Sequence, residues 1–274
     1  MKYLRRFVRV WATLPIVVRF LYDRRTGGQY GVGVWQKLKL LVRFWRNRRR
    51  VETLSSIMEH MELAAAVLRV PASVQGDVVE CGCYVGGSAV NLSLVCALVG
   101  RRLVICDSFE GLPEPREYDR MHFAVHIGYT EVYYKGRFAA TIDTVKENLA
   151  RYGNLAVCDF HVGFFDKTMD QLDRKVVMAF LDVDLIDSLK PCLRGLWPFL
   201  QSGCRLYVHE ARNLPLVSVL FDTIWWQENL SQAAPGFVGS GVGLPLAIAT
   251  SWGSQLGYAQ KGGEANLAKT DSVG

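Results

Sequence analysis

Apolar positions along this chain switch between two periods. From Val51 to Val70, residues Leu54, Ile57, Met58, Met61, Ala65 and Leu68 recur at helical spacing, and Pro71 closes the run. Val78 and Val79 then form a short apolar strand that ends in Glu80. Ser88 to Val99 is helical again and stops at Gly100, a residue suited to a left-handed helix end. Leu103 to Cys106 is a second apolar strand, tipped by Asp107. The alternation continues with a helix over Thr141–Tyr152, a strand over Leu155–Val162 and an apolar strand over Val176–Val183 that carries Asp182. A helix over Ser188–Leu200, a strand over Leu206–Val208 that runs into His209 and Glu210, and a helix over Leu216–Leu230 complete it. Leu244–Thr250 and Leu256–Ala259 read as a hairpin about Gly253. Unbroken apolar strands separated by helices are the pattern of a parallel sheet covered on both faces.

One stretch has no period. Glu110 to Gly136 holds two prolines, His122, His126 and the cluster Tyr129, Tyr133, Tyr134. A stretch of that length in a compact domain is expected to be a lid or binding loop. The alternative is a short helical insertion with surface histidines.

Charge divides the chain. The formal net charge is +6, yet residues 1–50 hold 14 Lys or Arg and the single acid Asp23. The remainder is net acidic. The same fifty residues include Phe7, Trp11, Phe20, Trp35, Phe44 and Trp45. Arginine interleaved with tryptophan suits a helix at a lipid headgroup boundary. It equally suits a basic amphipathic helix packed on the domain or on a second subunit. The many aliphatics argue against a nucleic-acid arm, and no apolar run reaches the ~20 residues that cross a bilayer. The expected organisation is a basic helical arm at 1–50, a catalytic domain at 51–262 and a polar, flexible tail at 263–274. The seven cysteines fall mostly in apolar patterns without metal or disulfide spacing, as in a reduced, cytoplasmic protein.

The chemistry gathers at strand ends. Gly82, Gly86 and Gly87 occupy the first strand-to-helix turn, where a missing Cβ lets backbone approach a ligand. Asp107, at the tip of the second strand, suits a ribose diol. The spacing departs from the dinucleotide fingerprint G-x-G-x-x-G. Glu80 just before the loop repels a pyrophosphate but suits a cationic, amino-acid-bearing nucleoside. That favours S-adenosylmethionine over NAD. Gly163 would again admit a bound base. Glu80, Asp107, Asp182, Asp184, His209 and Glu210 all lie at carboxyl ends of strands, where open α/β sheets bind ligands. The expected fold is a Rossmann-like, doubly wound, mainly parallel sheet with a C-terminal edge hairpin.

At these residues the chain resembles a known family. VVECGCYVGGSA followed by CDSFEGLPEP is similar to the macrocin O-methyltransferases, a family of class I methyltransferases. GRFAATIDTVKENLARYG (Gly136–Gly153) and FLDVDLIDSLKPCLRGLWPFLQSG (Phe180–Gly203) continue the resemblance in order. The likeness spans roughly Gly76 to Glu210. It implies methyl transfer from S-adenosylmethionine to a hydroxyl of a sugar, glycan or natural-product acceptor, small or lipid-linked. The implied cofactor residues are Glu80, Gly82, Cys83, Tyr84, Gly86, Gly87, Ser88, Asp107, Ser108, Gly163 and Asp182. The implied catalytic residues are Asp182, His209 and Glu210, and the same three would hold a divalent Mg or Mn ion. Peripheral membrane contact through residues 1–50 and a homo-oligomer are further expectations.

In one respect the chain departs from the family, which usually shows two adjacent aspartates where this chain has His209-Glu210. Imidazole is a softer ligand and disfavours Mg2+. Three readings stand. The site binds a metal such as Mn2+; or it has lost the metal and His209 serves as general base near neutral pH; or it is degenerate, leaving a non-catalytic membrane or partner-binding module. For Asp184 the alternative to a site role is a helix N-terminal cap or a contact with the following turn.

Overall fold

The computed structural model describes residues 14–119, 121–124, 129–240 and 256–262, with backbone alone at 121–124 and 129–131. Helical residues 14–22 (α1), α2 (Val34–Asn47) and α3 (Ile57–Arg69) precede the first strand. Then come β1 (Asp77–Cys81), α4 (Gly87–Val99) and β2 (Leu103–Asp107). A separate antiparallel hairpin follows, β3 (Met121–Ala124) with β4 (Tyr129–Val132). The alternation resumes with α5 (Ile142–Tyr152), β5 (Cys158–Val162), the short α6 (Phe165–Thr168) and β6 (Val176–Leu181). α7 (Ile186–Leu196), β7 (Leu200–Val208), α8 (Leu214–Ser218) and α9 (Thr223–Leu230) lead to β8 (Val238–Gly239) and β9 (Gly257–Gln260).

Seven strands form one sheet in the order β5-β2-β1-β6-β7-β9-β8. The first five are parallel, and β9 runs antiparallel to both its neighbours. The fold is therefore the doubly wound α/β sheet that the alternating pattern predicts. Leu256–Ala259, read as one arm of an edge hairpin, supplies β9. The other arm, Leu244–Thr250, lies outside the described residues. On its outer side β9 pairs with the two-residue β8, too short and too exposed to leave a hydrophobic signal. Chain order reverses between β1 and β6, where Glu80 pairs with Phe180 and Cys81 with Leu181. The crevice at the carboxyl ends of those two strands is the expected ligand position.

The helix read over Leu216–Leu230 is divided into α8 and α9, the strand read over Leu206–Val208 begins at Leu200, and that read from Leu155 begins at Cys158. Two further features differ from the sequence reading. α3 starts at Ile57, not Val51, because Ser56 and Glu59 form a capping box. The Glu59 amide donates to Ser56 Oγ at 3.2 Å, and the Ser56 amide donates to Glu59 Oε2 at 2.6 Å. Residues 51–55 thereby lie outside the helix in an irregular, bent segment, and Leu54, placed by periodicity on a buried face, is 67% exposed. The aperiodic segment after β2 contains the β3–β4 hairpin. His126 and the His122 side chain lie outside the described residues.

Residues 14–50 pack on the sheet domain. Phe20, Leu40, Phe44 and Val51 belong to its core. Lys37 is buried; its ammonium donates to the carbonyls of Leu21 (3.2 Å) and Asp23 (2.9 Å) at the end of α1. Asn47 donates to Asn91 Oδ1 on α4 at 2.9 Å. Arg101 is a second buried cation. It donates to the carbonyls of Gly76, Pro71 and Val74 at 2.8, 3.1 and 2.8 Å and to the Tyr30 hydroxyl at 3.1 Å. Arg101→Leu removes the donor from the Gly76 and Val74 carbonyls, so we expect a stability loss of about 3 kcal/mol in urea unfolding.

Candidate active site

The turn after β1 is shaped by its glycines, though by contact with protein. Gly82 has φ 82°, and a Cβ there would lie 1.9 Å from the Asp182 carbonyl oxygen. A Cβ on Gly87 would lie 2.5 Å from the Glu52 carbonyl oxygen, and one on Gly163 2.6 Å from Thr168 Cγ2. Each glycine thus draws two chain segments together. Gly82 and Gly87 also line the cleft described next.

The segments so gathered enclose a cleft of about 710 Å3 at the sheet's carboxyl edge. Of the residues singled out in the sequence, Gly82, Cys83, Tyr84, Gly87, Ser88, Asp107 and Ser108 line one part of it. Asp182, His209 and Glu210 line another. Glu80, Gly86 and Gly163 are not on its surface. Gly86 is the left-handed N-cap of α4, and Gly163 donates its amide to the Asp107 carbonyl at 2.9 Å.

Several lining residues escaped the sequence reading. Glu52, Thr53 and Leu54 enter because the capping box frees their segment. Phe138, Phe164 and Phe165 supply an aromatic wall, while Arg116, Lys190 and Arg194 bring positive charge. For Phe164 and Phe165 the signal was present in HVGFFDKT, beside Gly163. Asp184 lines the cleft with φ 60°. It is not a cap: Leu185 is the N-cap of α7, and the buried Asp119 carboxylate takes the Ile186 amide at 3.1 Å.

Asp107 is held rigidly. Its Oδ2 accepts the Cys83 amide at 2.7 Å and its Oδ1 the Phe109 amide at 2.8 Å. Each oxygen keeps a lone pair for a further donor. Glu80 lies beneath the loop, fully buried, with neither carboxyl oxygen in a complete hydrogen bond. Burial pushes its pKa up to about 8, against the pull of the Ser88 hydroxyl; Asp182 and Asp107 push the same way as burial. A carboxyl raised in the folded state favours folding most below its ordinary value of 4.5 and loses that contribution as pH rises toward 8. Glu80→Gln removes this slope. We expect the variant to gain on the order of 2 kcal/mol over the parent at pH 7 and nothing at pH 4, read from urea midpoints across that range.

Asp182, His209 and Glu210 meet at the cleft floor, their ligand atoms within 4.8 Å of one another. His209 Nδ1 lies 3.1 Å from Asp182 Oδ1 and 3.5 Å from Glu210 Oε1, while Nε2 lies 3.8 Å from Glu59 Oε1. Burial opposes a charged imidazole, but the Asp182 carboxylate outweighs it, aided by Glu210 and Glu59. His209 is held well above its ordinary value. Burial would raise Asp182, yet His209 holds it below the usual carboxylate range. Glu210 is pushed well up by burial, and its Oε2 has no partner. Behind this group, Asn91 donates to His60 Nδ1 at 2.7 Å, and burial lowers His60 to about 4. Glu59 and His60 come from α3, remote in sequence from the strand ends, and no local motif marks them.

Comparison with known proteins gives a consistent result. The model of the family described as macrocin-O-methyltransferase (TylF) matches residues 46–223. A protein of Streptomyces olivaceus, 8-demethyl-8-(2,3-dimethoxy-alpha-L-rhamnosyl)-tetracenomycin-C 4'-O-methyltransferase, is 29% identical over 187 residues, covering 58% of this chain and 69% of its own. Among solved structures, the O-methyltransferase NovP superposes with TM-score 0.58 at 19% identity, covering 76% of this chain and 81% of its own. The calicheamicin methyltransferase CalS11 superposes with TM-score 0.54 at 16% identity, covering 83% and 93%. At such identities the structural likeness speaks for the fold.

Proposed function

Since the chain belongs to the macrocin-O-methyltransferase family, we propose that it transfers the methyl group of S-adenosylmethionine to a hydroxyl of a deoxysugar, borne by a natural product or a lipid-linked glycan. The observation that carries this reading is one cleft with two chemistries: a wall of loop backbone at Gly82–Tyr84 with the Asp107 carboxylate and Ser108, and an acid–imidazole group at Asp182, His209 and Glu210. The sugar acceptor is supported by the Streptomyces relative, whose name specifies a rhamnosyl group.

When bound, S-adenosylmethionine supplies an electrophilic methyl carbon on a sulfonium. The Asp107 carboxylate, aimed by two backbone amides, accepts the ribose diol. Tyr84 and the aromatic wall line the same cleft and would shield a bound cofactor from water. Alignment of donor carbon and acceptor oxygen supplies much of the acceleration. Methyl transfer to a hydroxyl would require that the hydroxyl proton leave to a group of the chain. His209, held as a cation by its carboxylates, is a poor acceptor for it, which turns the reading away from His209 as the base. Asp182 is the ionised acceptor at the cleft, oriented by His209, and takes the proton. The donor set also fits a divalent ion: two carboxylates and an imidazole converge, and Glu210 Oε2 is buried without a partner. Asp182, His209 and Glu210 would hold such an ion, with the imidazole favouring Mn2+ over Mg2+, and its charge would lower the pKa of the hydroxyl.

We expect Asp107→Ala to weaken S-adenosylmethionine binding by roughly 100-fold, the worth of hydrogen bonds to a charged acceptor. Isothermal titration of parent and variant measures this, and unchanged affinity would remove Asp107 from the cofactor site. No helix of the described residues is long and apolar enough to cross a membrane. We place the enzyme in the cytoplasm, in contact with the membrane through residues 1–50 and assembled as a homo-oligomer.

A further inference from the structure

The outward side of α2 carries an apolar strip with a basic margin. Trp35, Leu38, Val42 and Trp45 recur at helical spacing, 76%, 38%, 47% and 50% exposed. Leu40, Phe44 and Asn47 face the other way and are buried. Lys39, Arg43 and Arg46 flank the strip and are exposed. The Arg49 guanidinium lies 3.7 Å from the Trp45 ring centroid. α2 contains no acid, and the one acid of the first fifty residues, Asp23, is paired with Arg69 at 3.2 Å. α1 repeats the theme with Leu14, Val18 and Tyr22, each at least 44% exposed.

An exposed tryptophan costs free energy unless something covers it. The charge beside this strip identifies the cover. A surface with no acid, a row of Arg and Lys, and large amphipathic rings at the apolar edge complements a negatively charged interface with an apolar interior. We propose that the outward face of α2 docks on an anionic phospholipid surface, with the rings of Trp35 and Trp45 in the headgroup layer and Lys39, Arg43 and Arg46 on lipid phosphates. This narrows the membrane contact of residues 1–50 to one face and one lipid class. Five residues beyond α2 the chain reaches Glu52, Thr53 and Leu54, which line the cleft.

The test is sedimentation of the full-length chain with vesicles, in the absence of cofactor and acceptor, so that its outcome is separate from that of the methyl-transfer reading. We expect binding to vesicles containing phosphatidylglycerol and little to pure phosphatidylcholine. Each basic side chain near an anionic surface is worth roughly a fivefold change in affinity. Replacing Lys39, Arg43 and Arg46 by Ser should weaken binding on the order of 100-fold. Trp35→Ala with Trp45→Ala should weaken it by at least about tenfold. All five side chains are exposed, so circular dichroism should show the fold intact in both variants. Tryptophan emission of the parent should shift to the blue on adding anionic vesicles, and shift less in the Trp variant. Equal sedimentation of parent and variants would overturn the proposal. So would equal binding to neutral vesicles, or light scattering that shows this face buried between two copies of the chain.

Discussion

Gly82→Ala is expected to cost about 3–5 kcal/mol of folding free energy, several times the usual cost of a side chain at a left-handed glycine. The added Cβ would lie 1.9 Å from the Asp182 carbonyl oxygen, inside any van der Waals contact. Neither side can give way easily. The Gly82 amide donates to the Cys106 carbonyl at 3.0 Å, and the Asp182 amide donates to the Cys81 carbonyl at 2.9 Å. Relief requires the ends of β1 and β6 to part at the point where the sheet opens to the cleft. Gly100→Ala is the control. Gly100 is also left-handed, with φ 67°, but nothing stands within 4 Å of its absent side chain. It should lose only about 1 kcal/mol, from the dihedral alone. Urea unfolding of parent and both variants separates clash from dihedral. If the two variants lose the same, close packing of the strand ends is not what the Gly82 position demands. A surviving Gly82→Ala protein should also lose turnover, since the shift displaces Asp182.

The sheet was readable because its strands are buried on both sides and so leave unbroken apolar runs such as Val176–Leu181, which no surface element imitates. The strand-end rule then carried Asp107, Asp182, His209 and Glu210 to one edge, and the structure brings all four to one cleft. The rest depended on contacts distant in sequence. Glu59 belongs to an ordinary capping box by its neighbours, yet the packing of α3 also sets its Oε1 3.8 Å from His209. Asp119 looks like a loop acid and is in fact the partner of an α7 amide, the role that a cap at Asp184 would have filled. Lys190 and Arg194 read as the polar face of a helix, and only the turn of α7 toward the cleft makes them site residues. A glycine in the sequence shows only that a Cβ is missing. Which neighbour it approaches is a property of the folded loop.

Asp182→Asn should reduce turnover by roughly 10²–10⁴-fold, more than it changes cofactor affinity. The amide keeps the shape and removes the charge. Two consequences follow from the distances. The acceptor hydroxyl loses its proton acceptor, and His209 loses the nearest of its three carboxylates, at 3.1 Å. The effect on stability has a defined pH window. His209 is raised in the folded state, so its contribution is whole below its ordinary value of 6.5 and fades as pH climbs through the folded value. Asp182 is depressed, so its contribution is whole above 3.8 and fades as pH drops through the folded value. The gap in stability between the parent and the Asp182→Asn variant should therefore be widest between about 3.8 and 6.5 and should narrow on either side. Single-turnover methyl transfer at saturating cofactor, paired with urea midpoints over that range, reads both. Near-parental turnover with the stability gap intact would leave Asp182 as a partner of His209 that holds the cleft floor, with the proton acceptor to be found elsewhere among the cleft acids.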